Sequence, residues 1–168
     1  YNHTLFELPG FINGKVSYTN GTGIPSVIVF SIYDTDGTDS SGNYSLLVTV
    51  NGTYEVRAIP PPGLGLADAE ADVSAVVGSE TILNFTLFRL SSLSGQVTDT
   101  NGTPVEDATV SLSGFDLPFY SNATDENGTY IFPGIKHGGY TVEITPPFGS
   151  PLLSNTTFLN ISPESVNT

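Results

Sequence analysis

The chain contains no cysteine and no methionine. The first absence excludes disulfide staples, zinc thiolates and cysteine nucleophiles. Together the two remove the most oxidisable side chains, which suits long exposure outside a cell. Basic residues are almost absent: Lys15, Arg57, Arg89 and Lys136 stand against 17 acidic residues, for a formal net charge of −13. A nucleic-acid binder needs clustered cations to displace phosphate counterions. This chain is repelled by nucleic acid and by anionic membranes, and its acidity reads as solubility and self-avoidance. No apolar run approaches the roughly 18 residues that span a bilayer, so no membrane span is expected. No signal peptide is visible, so a mature chain or an excerpt of a longer one is expected. The two histidines, His3 and His137, sit in no triad or metal-ligand spacing. No catalytic residue, no metal and no cofactor are expected, and the chain does not read as an enzyme.

What is abundant is turn and strand chemistry. There are 18 Gly and 12 Pro in 168 residues, enough chain for two small domains. Asparagine carries the sharper signal. Of 12 Asn, ten begin an Asn-x-Ser/Thr triplet: Asn2, Asn20, Asn43, Asn51, Asn84, Asn101, Asn122, Asn127, Asn155 and Asn160. At the Ser/Thr content of the chain, chance gives about three such triplets. Asn-Gly turns account for the Gly at Asn20, Asn51, Asn101 and Asn127, but not for the Thr that follows each time. These ten positions are expected to carry N-linked glycans, which places the protein outside the cell or on its surface, on a eukaryotic or archaeal exterior.

The chain repeats itself. Residues 2–29, NHTLFELPGFINGKVSYTNGTGIPSVIV, align with residues 84–110, NFTLFRLSSLSGQVTDTNGTPVEDATV. Thr38-Asp39-Ser40-Ser41-Gly42-Asn43-Tyr44 then pairs with Thr124-Asp125-Glu126-Asn127-Gly128-Thr129-Tyr130, and Tyr54 falls opposite Tyr140. Alternation and turn spacing predict strands near 11–18, 25–34, 43–49, 53–60, 69–77 and 81–90 in the first copy. In the second they predict 93–100, 105–114, 117–123, 129–133, 138–146 and 156–162. The expectation is an all-β chain of two tandem Ig-like or prealbumin-like β-sandwiches preceded by a short N-terminal strand. The expected division is 1–9 for that strand, 10–90 for the first sandwich and 91–168 for the second.

Gly95-x-Val97, Gly102-x-Pro104-Val105, Asp125-x-x-Gly128-x-Tyr130 and Tyr140-x-Val142 give the second copy a resemblance to carboxypeptidase regulatory-like domains, prealbumin-like sandwiches related to the Cna B-type repeats of surface proteins. The first copy is more divergent, with Ser26 after Gly23-Ile24-Pro25 where the pattern has Val. The resemblance implies a fold and a scaffold role without catalysis.

The ends of the two copies differ. The first copy finishes with residues 81–90, whereas the second has no such strand before Thr168. Tyr1-Asn2-His3-Thr4-Leu5-Phe6-Glu7-Leu8 aligns without a gap to Leu83-Asn84-Phe85-Thr86-Leu87-Phe88-Arg89-Leu90. A sandwich without its last strand leaves unpaired backbone groups and an open groove. The expectation is a donor strand, with Tyr1, His3, Leu5, Phe6 and Leu8 supplied to the second sandwich of a neighbouring identical subunit. The product is a homopolymer resembling the donor-strand glycoprotein filaments, or threads, of archaeal and bacterial surfaces. The alternatives are a covalent repeat array, with the chain as a stalk or carbohydrate-binding segment of a larger adhesin, an unstructured linker at 1–8, or an accessory domain of a secreted hydrolase.

Three weaker signals remain. Asp34-Thr35-Asp36-Gly37-Thr38-Asp39 resembles the start of a calcium loop, but Ser45 stands where the bidentate Glu is needed, so an Asp/Gly turn is favoured over calcium. Lys15 lies where Cna B-type domains can place an isopeptide lysine, though its counterpart is Gln96. Phe119 and Tyr120, if exposed, offer a platform for surface glycans, with strand packing as the plainer reading.

Overall fold

The structure is a computed structural model that describes residues 8–163. Among these there are fourteen strands and no helix. The chain divides into two compact units, the first running to Phe88 and the second beginning at Arg89.

The first unit holds β1 (Gly10–Ser17), β2 (Ile28–Phe30), β3 (Thr35–Gly37), β4 (Asn43–Val48), β5 (Gly52–Ile59), β6 (Ala69–Ala75), β7 (Glu80–Ile82) and β8 (Phe85–Thr86). One sheet runs β3-β2-β5-β6, and the other places β1 between β4 and the pair β7 and β8. Period-2 alternation sets the inner faces. Tyr44, Leu46 and Val48 of β4 and Tyr54, Val56 and Ala58 of β5 are buried, with exposed residues between the β4 positions. They meet Ile12, Val16, Val29, Phe85 and Leu87 in one core.

The second unit repeats six of these strands: β9 (Ser91–Gln96), β10 (Thr109–Ser113), β11 (Tyr120–Ala123), β12 (Thr129–Ile135), β13 (Gly138–Thr145) and β14 (Asn155–Ile161). Its sheets run β11-β10-β13-β14 and β12-β9, the order of the first unit strand for strand. Val110, Leu112, Phe132, Ile135, Tyr140 and Val142 form its core.

Three expectations need correction. The strands expected at 25–34 and 105–114 begin only at Ile28 and Thr109. Ser26 and Asp107, at equivalent positions, adopt φ of 59° and 56°, and a left-handed residue ends an extended run. The Asp34–Asp39 segment, read as a turn, contains β3 paired with β2. Strand 81–90 is split between β7 and β8 by the local geometry of Leu83 and Asn84.

Both units are held by the same turn chemistry. Asp39 Oδ1 accepts from the backbone N–H groups of Ser41 and Asn43, and Asp125 Oδ1 from those of Asn127 and Thr129, at 2.8–2.9 Å. The buried Thr38 hydroxyl donates to Ile24 O at 2.6 Å and accepts from Val27 N at 2.8 Å. Thr124 does the same with Val105 O at 2.7 Å and Ala108 N at 2.9 Å.

Candidate functional site: the open edge of the second sandwich

In the first unit β1 has partners on both sides. β4 pairs antiparallel along one edge. β7 and β8 pair parallel along the other, with Phe11, Ile12 and Asn13 beside Glu80, Thr81 and Ile82, and Val16 and Ser17 beside Phe85 and Thr86. Backbone bonds from Leu83 N to Asn13 O and from Leu87 N to Ser17 O, both 2.9 Å, extend this ladder. Phe85 and Leu87 are buried and Leu83 packs against the same core, while Asn84 and Thr86 face outward. Phe85 lies against the Tyr44 ring, with centroids 6.4 Å apart.

β9 is the counterpart of β1, and among the described residues its only strand partner is β12. The consequence is visible in side-chain exposure. Ile12, Val16, Ile24, Tyr44 and Ala58 are all buried. Their counterparts by the internal repeat, Leu93, Val97, Val105, Tyr130 and Ile144, are all partly exposed. Other core positions do not differ: Val27, Val29, Tyr54 and Val56 are buried, and so are Ala108, Val110, Tyr140 and Val142. A cavity of about 610 Å³ opens at the uncovered end, lined by Val97, Val105, Ala108, Ile144, Pro146 and Leu152 among others. Its wall is mainly apolar, so it suits an extended strand with inward apolar side chains rather than a charged ligand.

The titratable groups near these edges are structural. The Asp99 carboxyl lies at the cavity rim and is held below its usual value by the N–H groups of Thr103 and then Asn101. Asn43 and Ser41 N–H groups do the same to Asp39 in the first unit, with the Asn43 backbone contributing most. Burial pushes the Tyr44 hydroxyl well above its normal range. Tyr140 is raised to about 12 by burial and by Tyr120. Among the described residues no group of His, Asp and Glu is arranged to hold a metal ion.

The other sequence-derived positions are placed as follows. Tyr1, Asn2, His3, Leu5 and Phe6 lie outside the described residues, and Leu8 is 78% exposed. Asn20, Asn43, Asn51, Asn84, Asn101, Asn122, Asn127, Asn155 and Asn160 are all exposed. In place of a calcium loop, Asp34 Oδ2 accepts from Leu47 N at 2.7 Å and Asp36 Oδ2 from Ser45 N at 2.8 Å, so the acidic pair covers the free edge of β4. Lys15 Nζ donates to Gly21 O at 2.9 Å in an exposed turn. Phe119 is exposed, but Tyr120 packs on Tyr140 with centroids 6.1 Å apart and its hydroxyl accepts from Lys136 N. The two therefore do not form one flat platform. His137 is half-buried just before β13.

The sequence did not single out the glycine–tyrosine pair on this edge: Gly14 and Tyr44, which lie against Leu83 in the first unit, and Gly95 and Tyr130 at the same places in the second. The available signal was their identity in the two copies.

Comparison with known structures agrees with this architecture. A Streptococcal ancillary pilin superposes with a TM-score of 0.56 at 12% identity, over 95% of this chain and 60% of that one. The Bacillus anthracis TIE protein aligns at a TM-score of 0.43 and 18% identity, over 94% of this chain and 32% of that one. The shaft pilin SpaA of Lactobacillus rhamnosus GG gives 0.38 at 9% identity, over 95% of each chain. The chain thus spans 60% of the ancillary pilin and about a third of the TIE protein. At 12% identity the likeness to the ancillary pilin is one of fold. No curated protein matches the sequence significantly. Residues 92–158, the body of the second sandwich, match the family of carboxypeptidase regulatory-like domains.

Proposed function

We propose that the chain is a structural subunit of an extracellular, N-glycosylated filament on a cell surface. Subunits join head to tail when residues 1–8 of one copy pair with the open edge of β9 in the next. The observation that carries this reading is the contrast at one edge: among the described residues β1 is covered by β7 and β8, and no strand covers that side of β9. The segment whose sequence repeats that covering strand lies at residues 1–8.

Alternation turns Tyr1, His3 and Leu5 inward, as Leu83, Phe85 and Leu87 are in the first unit. Three inward side chains give roughly 4–9 kcal/mol of gross apolar stabilisation, against which the cost of association must be set. Such an interface joins two different surfaces and does not close on itself, so it propagates. Asn84 faces outward, and Asn2 at the same strand position then holds its glycan clear of the junction.

Deletion of residues 1–8 tests the reading. The expected product is a soluble monomer that makes no filament by electron microscopy. Boiling the parent filament in denaturant is expected to release subunits at the glycosylated monomer mass. Filaments from the truncated chain would overturn the reading, and a mass ladder on boiling would replace it with a covalent array.

A further inference from the structure

The backbone ladder between β1 and its parallel partner contains one substitution. A regular parallel ladder would send the Lys15 N–H to the Leu83 carbonyl. Here the Lys15 N–H donates to the side-chain Oδ1 of Asn84, at 2.9 Å. The Leu83 carbonyl instead turns inward and accepts the Tyr44 hydroxyl, at 2.6 Å. It does so across Gly14, where any Cβ would overlap the Leu83 carbonyl. Gly14, Tyr44 and Asn84 thus form one locking unit that fixes which residue of the last strand stands beside which residue of β1.

The second sandwich contains the receiving half of the same unit. Gly95 is the counterpart of Gly14, Tyr130 of Tyr44, and the Gln96 N–H of the Lys15 N–H. Tyr130 lies over Gly95 with its hydroxyl nearest, whereas at Gly14 the Leu83 carbonyl is nearest and Tyr44 approaches through Cε1. The missing half is an asparagine preceded by a residue whose carbonyl can turn inward. In the segment 1–8 that asparagine is Asn2, and the carbonyl is that of Tyr1.

We infer that Asn2 is the register-determining residue of the subunit junction: its side-chain carbonyl accepts from the Gln96 backbone N–H of the next copy, while the Tyr130 hydroxyl of that copy donates to the Tyr1 carbonyl. The inference rests on the donor-strand reading and specifies its partners. It also assigns Asn2 two roles. An N-linked glycan replaces a hydrogen on Nδ2 and leaves Oδ1 as an acceptor, so one side chain carries sugar on its outer side and closes the ladder on its inner side. The register follows from the first unit. Val16 beside Phe85 becomes Val97 beside His3, and Ser17 beside Thr86 becomes Thr98 beside Thr4.

Absence of cysteine from the chain makes the register directly testable. In the full-length chain, Thr4→Cys combined with Thr98→Cys places two outward positions at the spacing of neighbouring strands, within disulfide reach. Oxidised filaments are expected to run as a ladder on a non-reducing denaturing gel. Thr4→Cys with Gln96→Cys, or with Thr100→Cys, tests a shift of two residues either way and is expected to give little ladder. The hydrogen bond is separated from the glycan by comparing Thr4→Ala, which ends the sequon but keeps the amide, with Asn2→Ala, which removes both. Thr4→Ala filaments are expected to dissociate at the parental rate, and Asn2→Ala and Tyr130→Phe filaments about tenfold faster. Equal rates for Asn2→Ala and Thr4→Ala, a stronger ladder from a shifted pair, or no ladder from any pair would overturn the inference. Leu5→Asp distinguishes the two levels. If it abolishes assembly, the donor-strand reading stands whatever happens to the register; if Leu5→Asp assembles normally, both fall.

Discussion

The two sandwiches share six strands, the same Asp-anchored turns and the same buried threonine, and they differ along a single edge. In the first, Phe85 of β8 and Leu87 just after it enter the core, and Ile12, Val16 and Tyr44 are buried. In the second, the corresponding positions are partly exposed although the sequence supplies residues of similar kind: Leu93 for Ile12, Val97 for Val16, Tyr130 for Tyr44. Among the described residues no strand covers these apolar side chains. One unit therefore serves as an internal control for the other, and what covers β1 is the template for what should cover β9.

Truncating the template strand should break this comparison most strongly. In the chain lacking residues 1–8, Phe85→Ala is expected to cost about 3–5 kcal/mol in denaturant unfolding, because it empties a closed core. His3→Ala in the full chain should leave the unfolding of unassembled protein unchanged and appear only as weaker assembly. Equal effects on the monomer would mean that residues 1–8 already cover a core within their own chain.

Next in size are the features the two units share. Thr38→Val and Thr124→Val each leave a buried N–H and a buried carbonyl without the hydroxyl that joins them, and about 1–3 kcal/mol should be lost in each unit. A loss in one unit only would show that the repeat is less faithful in energy than in geometry.

The smallest effects are those of pH. Asp39 and Asp99 have folded pKa values below their ordinary one, so their contribution is present above about pH 4 and is lost as pH falls below it. Both groups are exposed, so the change should be slight and weaker in salt. In alkali the sign reverses. Tyr44 and Tyr140 are raised by burial, so the native state loses stability as pH rises above about 10. Asp39→Asn and Tyr44→Phe should flatten the respective limbs of a stability–pH curve measured by thermal melting.

Much of the fold was legible because alternation and turn residues are local signals. The run Asn43–Val48 alternates buried Tyr44, Leu46 and Val48 with exposed Asn43, Ser45 and Leu47, and Asp125-x-x-Gly128 specifies a turn that needs the positive φ of Gly128, 70°. The rest depended on contacts distant in sequence. β3 exists because Asp34 and Asp36 reach across to the N–H groups of Leu47 and Ser45, which no reading of an Asp-rich hexapeptide contains. The extended runs at 25–34 and 105–114 looked continuous because Ser26 and Asp107 carry no sequence mark of a left-handed backbone. The candidate site was half legible. The repeat matched residues 1–8 to residues 83–90, but the exchange of a backbone acceptor for the Asn84 side chain requires the Gly14–Tyr44 geometry to be seen.

Amide hydrogen exchange on β1 and β9 tests the central claim most directly, compared between the assembled full-length chain and the chain lacking residues 1–8. The account expects residues 12–17 to exchange slowly in both samples. On β9 the Val97 N–H is already bonded to Gly128 O, so the reporters are the alternate N–H groups of Ser94, Gln96 and Thr98, expected to exchange slowly in the filament and rapidly in the truncated monomer. Equal protection of Ser94, Gln96 and Thr98 in the two samples would contradict it.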